Sequence, residues 1–217
     1  MNNSNQRPDL QLEMALFTGG IRHIAGIDEA GRGALAGPVV AAAVILPLEL
    51  PDLANTLHEV HDSKQLSPKV RQRAYDSIHR TARAISVGSA TSNEVDELGL
   101  LPATRLAMSR AVAILQPQPQ HLLLDYMLLP EQETTQTSQA KADSKSLSVA
   151  AASVIAKVTR DRWMVECDKK YPGYDFSQHK GYGTVHHRQV LSQLGPSPVH
   201  RLSYAPVAAS VAEQPPG

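Results

Sequence analysis

Residues 26–37 (GIDEAGRGALAG) constrain most strongly what this chain can fold into. Two adjacent carboxylates, Asp28 and Glu29, end an apolar run there and precede a glycine-rich loop. Neighbouring side chains on a strand point to opposite faces, but both can approach one point where the strand ends and the chain turns. Glycines tolerate unusual dihedral angles and let a ligand come close to the backbone. The segment therefore predicts a strand followed by a functional loop.

An acidic pair beside such a loop has two interpretations. Two carboxylates would repel a phosphate group unless a divalent cation lay between them, so the pair is compatible with an acidic metal site next to a surface for a polyanion. Aspartate is also a common turn residue. Taken alone, the pair favours a solvated turn after the strand, and other parts of the chain have to decide.

The composition fits a single domain with an aliphatic core. The 217 residues suffice for a sizeable core, and only 4% of them are aromatic. The one cysteine, Cys167, excludes a disulfide within the chain and a thiolate metal cluster. Residues 1–16 lack the features of a signal peptide, and no apolar run approaches the ~20 residues that cross a bilayer. We therefore expect a cytoplasmic protein without membrane association.

Charge is unevenly distributed along the chain, although the formal net charge is zero. Residues 141–201 contain ten Lys and Arg against five Asp and Glu, whereas residues 1–140 contain eleven against fifteen. The C-terminal third is therefore a candidate polyanion-binding face, with acidic groups supplied by earlier segments. An ordinary solvated helix surface would show the same asymmetry.

The order of apolar runs predicts an α/β domain with a mixed sheet flanked by helices. The predicted strands are residues 21–27, 38–47, 84–90 and 121–125, and the predicted helices are 67–83, 92–98, 102–115, 149–168 and 184–195. Polar residues 131–140 are expected to form a surface excursion. We expect residues 1–20 to be a flexible N-terminus, residues 21–207 to form one domain and residues 208–217 to be a disordered tail.

Two further carboxylates share the pattern of Asp28 and Glu29. Asp125 ends the apolar strand HLLLD, and Asp143 lies just before the long helix. Sites in open α/β sheets form at the carboxyl ends of strands, and acids are favoured near a helix N-terminus. Four carboxylates suit Mg²⁺ or Mn²⁺, and two such ions roughly 3.5–4 Å apart catalyse phosphodiester hydrolysis. A strand-end cap for Asp125 and a helix-start role for Asp143 are the alternatives.

Several motifs together resemble those of the ribonuclease HII family (type 2 ribonuclease H), in the family's order, from about residue 21 to residue 206. They are GIDEAGRG (26–33), GPVV (37–40), DSK (62–64), LD (124–125), DS (143–144), AAASVIAKVTRD (150–161) and HKGY (179–182). The resemblance implies a ribonuclease H-like fold with a small helical C-terminal extension, so that residues 21–207 would be a ribonuclease H-like catalytic domain.

The resemblance also implies an activity. The enzyme would cut the RNA strand of RNA–DNA hybrids, and would cut 5′ of single ribonucleotides embedded in duplex DNA, leaving 5′-phosphate and 3′-hydroxyl ends. Such cutting serves ribonucleotide removal from DNA and RNA primer removal. By position, the four metal-binding catalytic acids, with Mg²⁺ or Mn²⁺ as cofactor, would be Asp28, Glu29, Asp125 and Asp143.

The same resemblance implies residues that contact the substrate. Gly31, Arg32 and Gly33 would form the loop that reads 2′-hydroxyl groups, which distinguish RNA from DNA. Tyr182 would pack on the deoxyribose that follows the ribonucleotide. Lys64 is a candidate phosphate contact. Without the resemblance, the favoured alternatives are an exposed turn arginine for Arg32 and buried packing for Tyr182, and Lys64 has a surface salt bridge as its alternative.

Two residues depart from the family pattern. Tyr126 follows the third acid where the family usually has glycine, and it would either crowd the site or point away. Gly183 follows Tyr182 where the family usually has proline, and it would loosen the loop that holds the tyrosine. Both departures bear on efficiency and junction preference and leave the reaction type unchanged.

Two other functions were weighed. A binder of RNA–DNA hybrids that does not cut them is disfavoured because all four acids are present. A dinucleotide-binding enzyme is disfavoured because Gly31, Gly33 and Gly37 are off the fingerprint spacing and follow acids that would repel pyrophosphate.

The sequence also bears on partners. The roughly twenty residues before the first strand are too few for the N-terminal substrate-binding domain of type 3 enzymes. The C-terminal tail shows no peptide of the kind that docks a sliding clamp. We expect a monomer whose partners are RNA–DNA hybrid and ribonucleotide-containing duplex DNA.

Overall fold

A five-stranded mixed sheet forms the centre of the protein. The computed structural model describes residues 7–212. Its strands are β1 (Ile24–Ala30), β2 (Val39–Ile45), β3 (Ala84–Ala90), β4 (His121–Asp125) and β5 (Thr135–Gln139). In the order β3-β2-β1-β4-β5, the first two pairings are antiparallel and the last two are parallel. The predicted fold class, a mixed sheet flanked by helices, is confirmed.

Helices cover both faces of this sheet. They are α1 (Gln11–Thr18), α2 (Leu53–Thr56), α3 (Pro68–Thr81), α4 (Ser92–Leu98), α5 (Leu100–Ile114), α6 (Leu147–Lys170), α7 (Phe176–His179), α8 (Val185–Leu194) and α9 (Ala205–Ala212), with a 3-10 turn at Ala142–Ser144. The helix α5 packs on one face, and α6 and α3 pack on the other. Between residues 7 and 212, no helix is both long and apolar enough to span a bilayer.

Small residues bring α6 close to the sheet. A Cβ atom placed on Gly26 of β1 would lie 2.1 Å from the carbonyl carbon of Ser148, so only glycine permits this approach. The first turns of α6 are fully buried alanines and valines. This close packing sets the distance between the sheet and the residues just before α6.

The polar segment at residues 131–140 contains a strand that the sequence pattern missed. Thr135–Gln139 pairs with β4 as the edge strand β5. Its hydroxyl groups at Thr135 and Thr137 lie 2.7 and 2.9 Å from the two ring nitrogens of His121. An edge strand with solvated and hydrogen-bonded side chains needs no apolar alternation, so the prediction of a surface excursion was incomplete.

Helices lie within both segments that the sequence predicts to be flexible or disordered. The helix α1 lies within the segment expected to be flexible, residues 1–20, and α9 reaches Ala212 within the tail expected to be disordered, residues 208–217. Val207 anchors α9 in a small core with Leu35 and Leu191. Residues 1–6 and 213–217 lie outside the described residues, so the predictions made for them stay predictions.

A single buried carboxylate anchors α1. Glu13 is 1% exposed, and one of its oxygens accepts hydrogen bonds from Ser146 Oγ (2.6 Å), Ser148 N (2.9 Å) and Ser148 Oγ (2.8 Å). These serines begin α6. Because a polar contact fixes the helix, hydrophobic patterning does not reveal it.

Candidate active site

Two of the four predicted acids lie side by side on the sheet. Ile27 of β1 pairs with Leu124 of β4, so one step further along these parallel strands brings Asp28 level with Asp125. Adjacent strands lie about 4.8 Å apart. Leu123 packs on the α6 side of the sheet, and alternation places Asp125 on the same side. The two carboxylates therefore share one face.

The acidic pair is part of β1 and does not follow it. The strand continues beside β2 to Ala30, although its pairing with β4 stops at Ile27. Asp28 is 3% exposed, so the alternative of a solvated turn does not hold. Glu29 lies one residue further, and its Oε1 accepts a hydrogen bond from Arg32 Nη1 at 3.2 Å.

Three buried carboxylate oxygens have no hydrogen-bond partner within residues 7–212. Two of them, Asp28 Oδ2 and Glu29 Oε2, lie at this site, and the third is Glu13 Oε2 on α1. A buried charged oxygen without a partner is costly, so such atoms mark a place where a cation or a proton is bound. The strand thus presents two open oxygen ligands at adjacent positions.

The fourth acid sits in the 3-10 turn that precedes α6. Asp143 is buried, and the turn is tied to β4 because Asp125 Oδ1 accepts the Ala142 N–H at 2.9 Å. Ser146, and not Asp143, caps the N-terminus of α6, with Ser146 Oγ accepting the Val149 N–H at 3.2 Å. The helix-start alternative for Asp143 therefore does not describe its position. One oxygen of Asp125 does act as a strand-end cap.

Burial and neighbouring carboxylates raise the pKa of two of the acids, Asp28 and Asp143. Burial, then the charge of Glu29 and more weakly that of Asp125, raises the pKa of Asp28 well above its ordinary value, although Lys64 opposes this. Burial and the charges of Asp62 and Asp125 raise the pKa of Asp143. A cluster with such pKa values favours binding of positive charge.

Lys64 is the cation that faces this cluster. Burial alone would lower the pKa of Lys64, but nearby carboxylates, with Asp28 first, raise it overall. Its side chain forms no salt bridge with any residue of the described range. The surface salt bridge considered as its alternative is therefore absent there.

The donor set suits a hard divalent cation. All four groups are carboxylates, which prefer Mg²⁺ or Mn²⁺, and two of them carry the unpartnered oxygens. Among residues 7–212, however, no three His, Cys, Asp or Glu side chains converge on a point that would hold one metal ion. The carboxylates would therefore supply part of the coordination, with the remainder left to water or substrate.

A cavity of about 520 Å³ adjoins the acids. It brings together Glu29 and all five predicted substrate-binding residues with two cations that sequence reasoning did not single out. The lining residues are Glu29, Ala30, Gly31, Arg32, Gly33, Ser63, Lys64, Arg71, Lys157 and Tyr182. Lys157 comes from the C-terminal third, which the charge distribution made a candidate polyanion-binding face, and Arg32, Lys64 and Arg71 come from earlier segments.

Tyr182 lines the same cavity as Glu29. Lys157 Nζ and Arg160 Cζ lie 5.3 and 5.2 Å from its ring centroid. Its backbone forms an antiparallel bridge with Ala34 of the glycine loop. The ring is partly exposed, so the alternative of plain buried packing does not apply. Lys157 and Arg160 lie in the motif at residues 150–161, which could have drawn attention to them.

Two fully buried arginines hold the glycine loop, and sequence reasoning missed both roles. Arg160 and Arg201 are each 0% exposed and form no salt bridge within the described residues. Burial lowers the pKa of Arg160 to about 10 and also lowers that of Arg201, so both stay charged at neutral pH. Backbone carbonyls at 2.8–3.0 Å accept their N–H groups: Ala36, Pro38 and Lys180 for Arg160, and Gly31, Arg32 and Gly37 for Arg201.

A pair of buried histidines holds the backbone of Tyr182. His187 Nδ1 lies 2.9 Å from the Tyr182 carbonyl oxygen, His187 Nε2 lies 3.0 Å from His200 Nε2, and His200 Nδ1 accepts the Ser197 N–H at 2.9 Å. A carbonyl only accepts and an amide N–H only donates, so His187 carries its proton on Nδ1 and His200 on Nε2. Burial lowers the pKa of both rings to about 4.

The two departures from the family pattern have little effect on the shape of the cavity. Tyr126 has φ of 64° and its side chain is 73% exposed, so it points away from the acids; glycine would adopt this backbone conformation more readily. Gly183 does not have a positive φ, and the turn that precedes it is fixed by the histidine pair and by a Thr184 N–H bond to the Tyr182 carbonyl at 2.8 Å. The expected loosening is therefore opposed by several hydrogen bonds.

Known proteins share this sequence and architecture. A sequence model of the family "Ribonuclease HII" matches residues 25–207. The chain is 52% identical over 200 residues to a ribonuclease HII from Chloroflexus aggregans, an alignment that covers 92% of this chain and 94% of the relative.

Solved structures show the same fold. The ribonuclease H2 from Pyrococcus horikoshii superposes with a TM-score of 0.72 at 26% identity, covering 87% of this chain and 96% of that one. Bst-RNase HIII in complex with Mn²⁺ superposes with a TM-score of 0.66 at 21% identity, covering 92% and 72%.

Proposed function

The chain belongs to the ribonuclease HII family of metal-dependent ribonuclease H endonucleases, and we propose that it cuts on the 5′ side of single ribonucleotides embedded in duplex DNA. It would also cut the RNA strand of longer RNA–DNA hybrids, leaving 5′-phosphate and 3′-hydroxyl ends. The observation that carries this proposal is the shared wall of the cavity. Glu29 belongs both to the acid cluster and to the lining that includes Gly31, Arg32, Gly33 and Tyr182.

We propose that Asp28, Glu29, Asp125 and Asp143 hold Mg²⁺ or Mn²⁺. When bound, two such ions lower the pKa of an attacking water and stabilise the leaving oxygen. Support comes from the unpartnered oxygens of Asp28 and Glu29, from the raised pKa values of Asp28 and Asp143, and from the all-oxygen donor set. A structure with the same fold, Bst-RNase HIII, is a complex with Mn²⁺.

The chain's own residues bind and orient the substrate. Lys64, Arg71 and Lys157 place positive charge on the cavity wall, where a phosphate backbone would lie. The glycine loop brings backbone groups to the same wall, where they would meet a 2′-hydroxyl group. Tyr182 offers a ring on which a sugar without that hydroxyl packs. Together these groups would select a junction from RNA to DNA.

A gel assay on three duplexes tests the proposal. The first carries one ribonucleotide in DNA, the second is all DNA, and the third is a continuous RNA–DNA hybrid, each incubated in Mg²⁺, Mn²⁺ and EDTA. We expect metal-dependent cutting of the first duplex at the 5′ side of the ribonucleotide, cutting of the third, and none of the second. Cutting restricted to the hybrid would contradict the single-ribonucleotide activity.

A binder that docks on such duplexes without cutting is the second candidate. Binding of the ribonucleotide duplex with no cutting in either metal would favour it. The monomeric state, the cytoplasmic location, the absence of a clamp-docking peptide and the roles in ribonucleotide and primer removal stay predictions.

A further inference from the structure

Arg201 lies behind the glycine loop and holds it through its guanidinium group. All of its N–H groups are used: Nε and Nη2 donate to the Gly37 carbonyl, Nη2 also to that of Gly31, and Nη1 to the Arg32 carbonyl and the Tyr204 hydroxyl. The Tyr204 hydroxyl in turn donates to the Arg32 carbonyl at 2.8 Å. Two consecutive carbonyls of the loop, at residues 31 and 32, thus point at one guanidinium group.

Those carbonyls fix the direction of two amide groups. In a trans peptide unit the C=O of one residue and the N–H of the next point in opposite directions. The N–H groups of Arg32 and Gly33 therefore point away from Arg201. Residues Gly31, Arg32 and Gly33 line the cavity, whereas Arg201 does not and is fully buried. The side opposite Arg201 is the side of the cavity.

Neither of these amides has a partner in the free protein. Within residues 7–212, the N–H groups of Arg32 and Gly33 donate to no backbone or side-chain acceptor. Gly33 is exposed and nothing lies within 4 Å of the position that a Cβ would take, so the space in front of it is open. Two adjacent donors, both aimed by one cation, thus face an open cavity.

We propose that Arg201 is a positioning residue that aims the Arg32 and Gly33 amides at an oxygen acceptor of the substrate, and so sets the preference for a ribonucleotide. The proposal rests on the proposed function, since the acceptor is taken to be the 2′-hydroxyl oxygen, which DNA lacks. The guanidinium also polarises both peptide units, which strengthens the outward N–H groups as donors.

Only arginine meets the geometry. The Arg201 guanidinium serves three carbonyls and one hydroxyl as a planar fork with five N–H donors, whereas a lysine ammonium has three donors in a different arrangement. Arg201→Lys keeps the charge and loses at least one of the aimed peptide units. Tyr204→Phe is a milder change, because it removes one of the two hydrogen bonds to the Arg32 carbonyl and leaves the arginine in place.

The test measures discrimination between duplexes. In an Asp28→Asn background, which keeps the duplex intact, we compare the Kd for all-DNA duplex with the Kd for duplex containing one ribonucleotide. Loss of two hydrogen bonds predicts that Arg201→Lys lowers this ratio by about tenfold, and Tyr204→Phe by about two- to threefold. Ile78→Ala, a buried residue of α3 far from the loop, controls for lost stability. We expect Ile78→Ala to lower the Tm by as much as the Arg201 and Tyr204 variants do, and to leave the Kd ratio unchanged.

A second readout does not depend on cutting. With ¹⁵N-labelled Arg and Gly, the Arg32 and Gly33 amide resonances of the wild-type chain should shift downfield with the ribonucleotide duplex and not with all-DNA duplex. These shifts should be lost in Arg201→Lys and reduced in Tyr204→Phe.

Two results would overturn the inference. One is an unchanged Kd ratio in both Arg201→Lys and Tyr204→Phe, and the other is a loss in Ile78→Ala as large as theirs. If Arg201→Lys does not fold, Tyr204→Phe decides alone. A wild-type chain that binds both duplexes equally and cuts neither would instead contradict the proposed function. Crystal structures of the wild type and Tyr204→Phe would then still show whether the peptide units turn.

Discussion

The acidic half of the site and its loop half are held in opposite ways. The acidic half consists of Asp28, Glu29, Asp125 and Asp143, which sit on regular strands or beside a helix, and two of these acids, Asp28 and Glu29, each leave a buried oxygen unpartnered. The loop half, residues 31–37 and 179–184, is irregular, and buried side chains hold its backbone carbonyls by hydrogen bonds. In the acidic half the backbone ladder holds side chains with open acceptors, whereas in the loop half side chains hold a backbone with open donors.

The difference follows from what each half has to do. A group that is to bind a cation needs free lone pairs, and a sheet can hold such a group at a cost because its ladder fixes the backbone independently. A loop has no ladder, so its shape must come from side chains such as Arg160, Arg201 and His187. Buried polar groups of that kind are stable only when their hydrogen bonds are complete.

The largest expected effect comes from a substitution in the acidic half. Asp28→Asn removes a ligand oxygen, and we expect cutting of the ribonucleotide duplex to fall by about a thousandfold or more. The change also removes a buried carboxylate oxygen that has no partner, so the Tm should stay equal or rise. Gel assays and thermal melts measure the two quantities. Cutting within tenfold of the wild-type rate would contradict the role of Asp28 as a metal ligand. A lowered Tm would contradict the claim that its unpartnered oxygen destabilises the fold.

The second prediction concerns the pH dependence of stability, to which the two halves of the site contribute with opposite sign. Burial lowers the pKa of His187 and His200 to about 4, below the unfolded value of 6.5. The unfolded chain therefore binds more protons between these values, and the stability that the neutral pair contributes is lost as pH falls from 6.5 towards 4. We expect the pair to reduce the free energy of unfolding by about 4 kcal/mol between pH 7.5 and 5.

Urea unfolding at these two pH values measures the effect. His179 stacks on His187 at 4.1 Å between ring centroids, and burial lowers its pKa in the same direction. His187→Gln should flatten the pH dependence, whereas His186→Gln, at an exposed ring paired with Asp175, should not. The acidic half affects stability with the opposite sign. The pKa of Asp28 is raised in the folded protein, so the protonation of Asp28 at lower pH favours the folded state. If the free energy of unfolding changed equally with pH in both histidine variants, His187 and His200 would not be the cause of the pH dependence.

The smallest effect tests the loop half as a reader of the junction. Tyr182→Ala removes the ring beside Lys157 and Arg160. Stacking of this kind is worth ~1–3 kcal/mol, so cutting at a single ribonucleotide should fall about tenfold more than cutting of a continuous hybrid. Tyr182→Phe keeps the ring and should retain the preference. Equal losses on both substrates would leave Tyr182 with a purely structural role.

The acidic half was within reach of sequence reasoning. Apolar runs that end in a carboxylate located Asp28 and Asp125, and parallel pairing then brought them level. The strands β3 and β4 and the helix α4 have the predicted bounds, because turn residues, caps and apolar runs mark them locally. Family motifs supplied Gly31, Arg32, Gly33 and Tyr182, which the cavity brings together with Lys64.

The loop half was not. Arg201 bonds carbonyl groups 164 to 170 residues away in the chain, and a carbonyl is present whatever the side chain is. The residue type at the partner position therefore gives no indication of such a contact. The sequence pattern missed strand β5 for a related reason. Its polar residues form hydrogen bonds, including those of Thr135 and Thr137 with His121, and show no alternating apolar face.

The contact of Glu13 with the start of α6 has a consequence for synthesis of the chain. Glu13 leaves the ribosome early, and its partner Ser146 follows 133 residues later. A carboxylate near a helix N-terminus stabilises that terminus, so α1 completes this contact only after the start of α6, next to Asp143, has been synthesised. A chain shortened to begin after residue 20 would contain all four acids and lack the carboxylate that holds the start of α6. An early segment of the chain would thus complete its packing only when a late one has emerged.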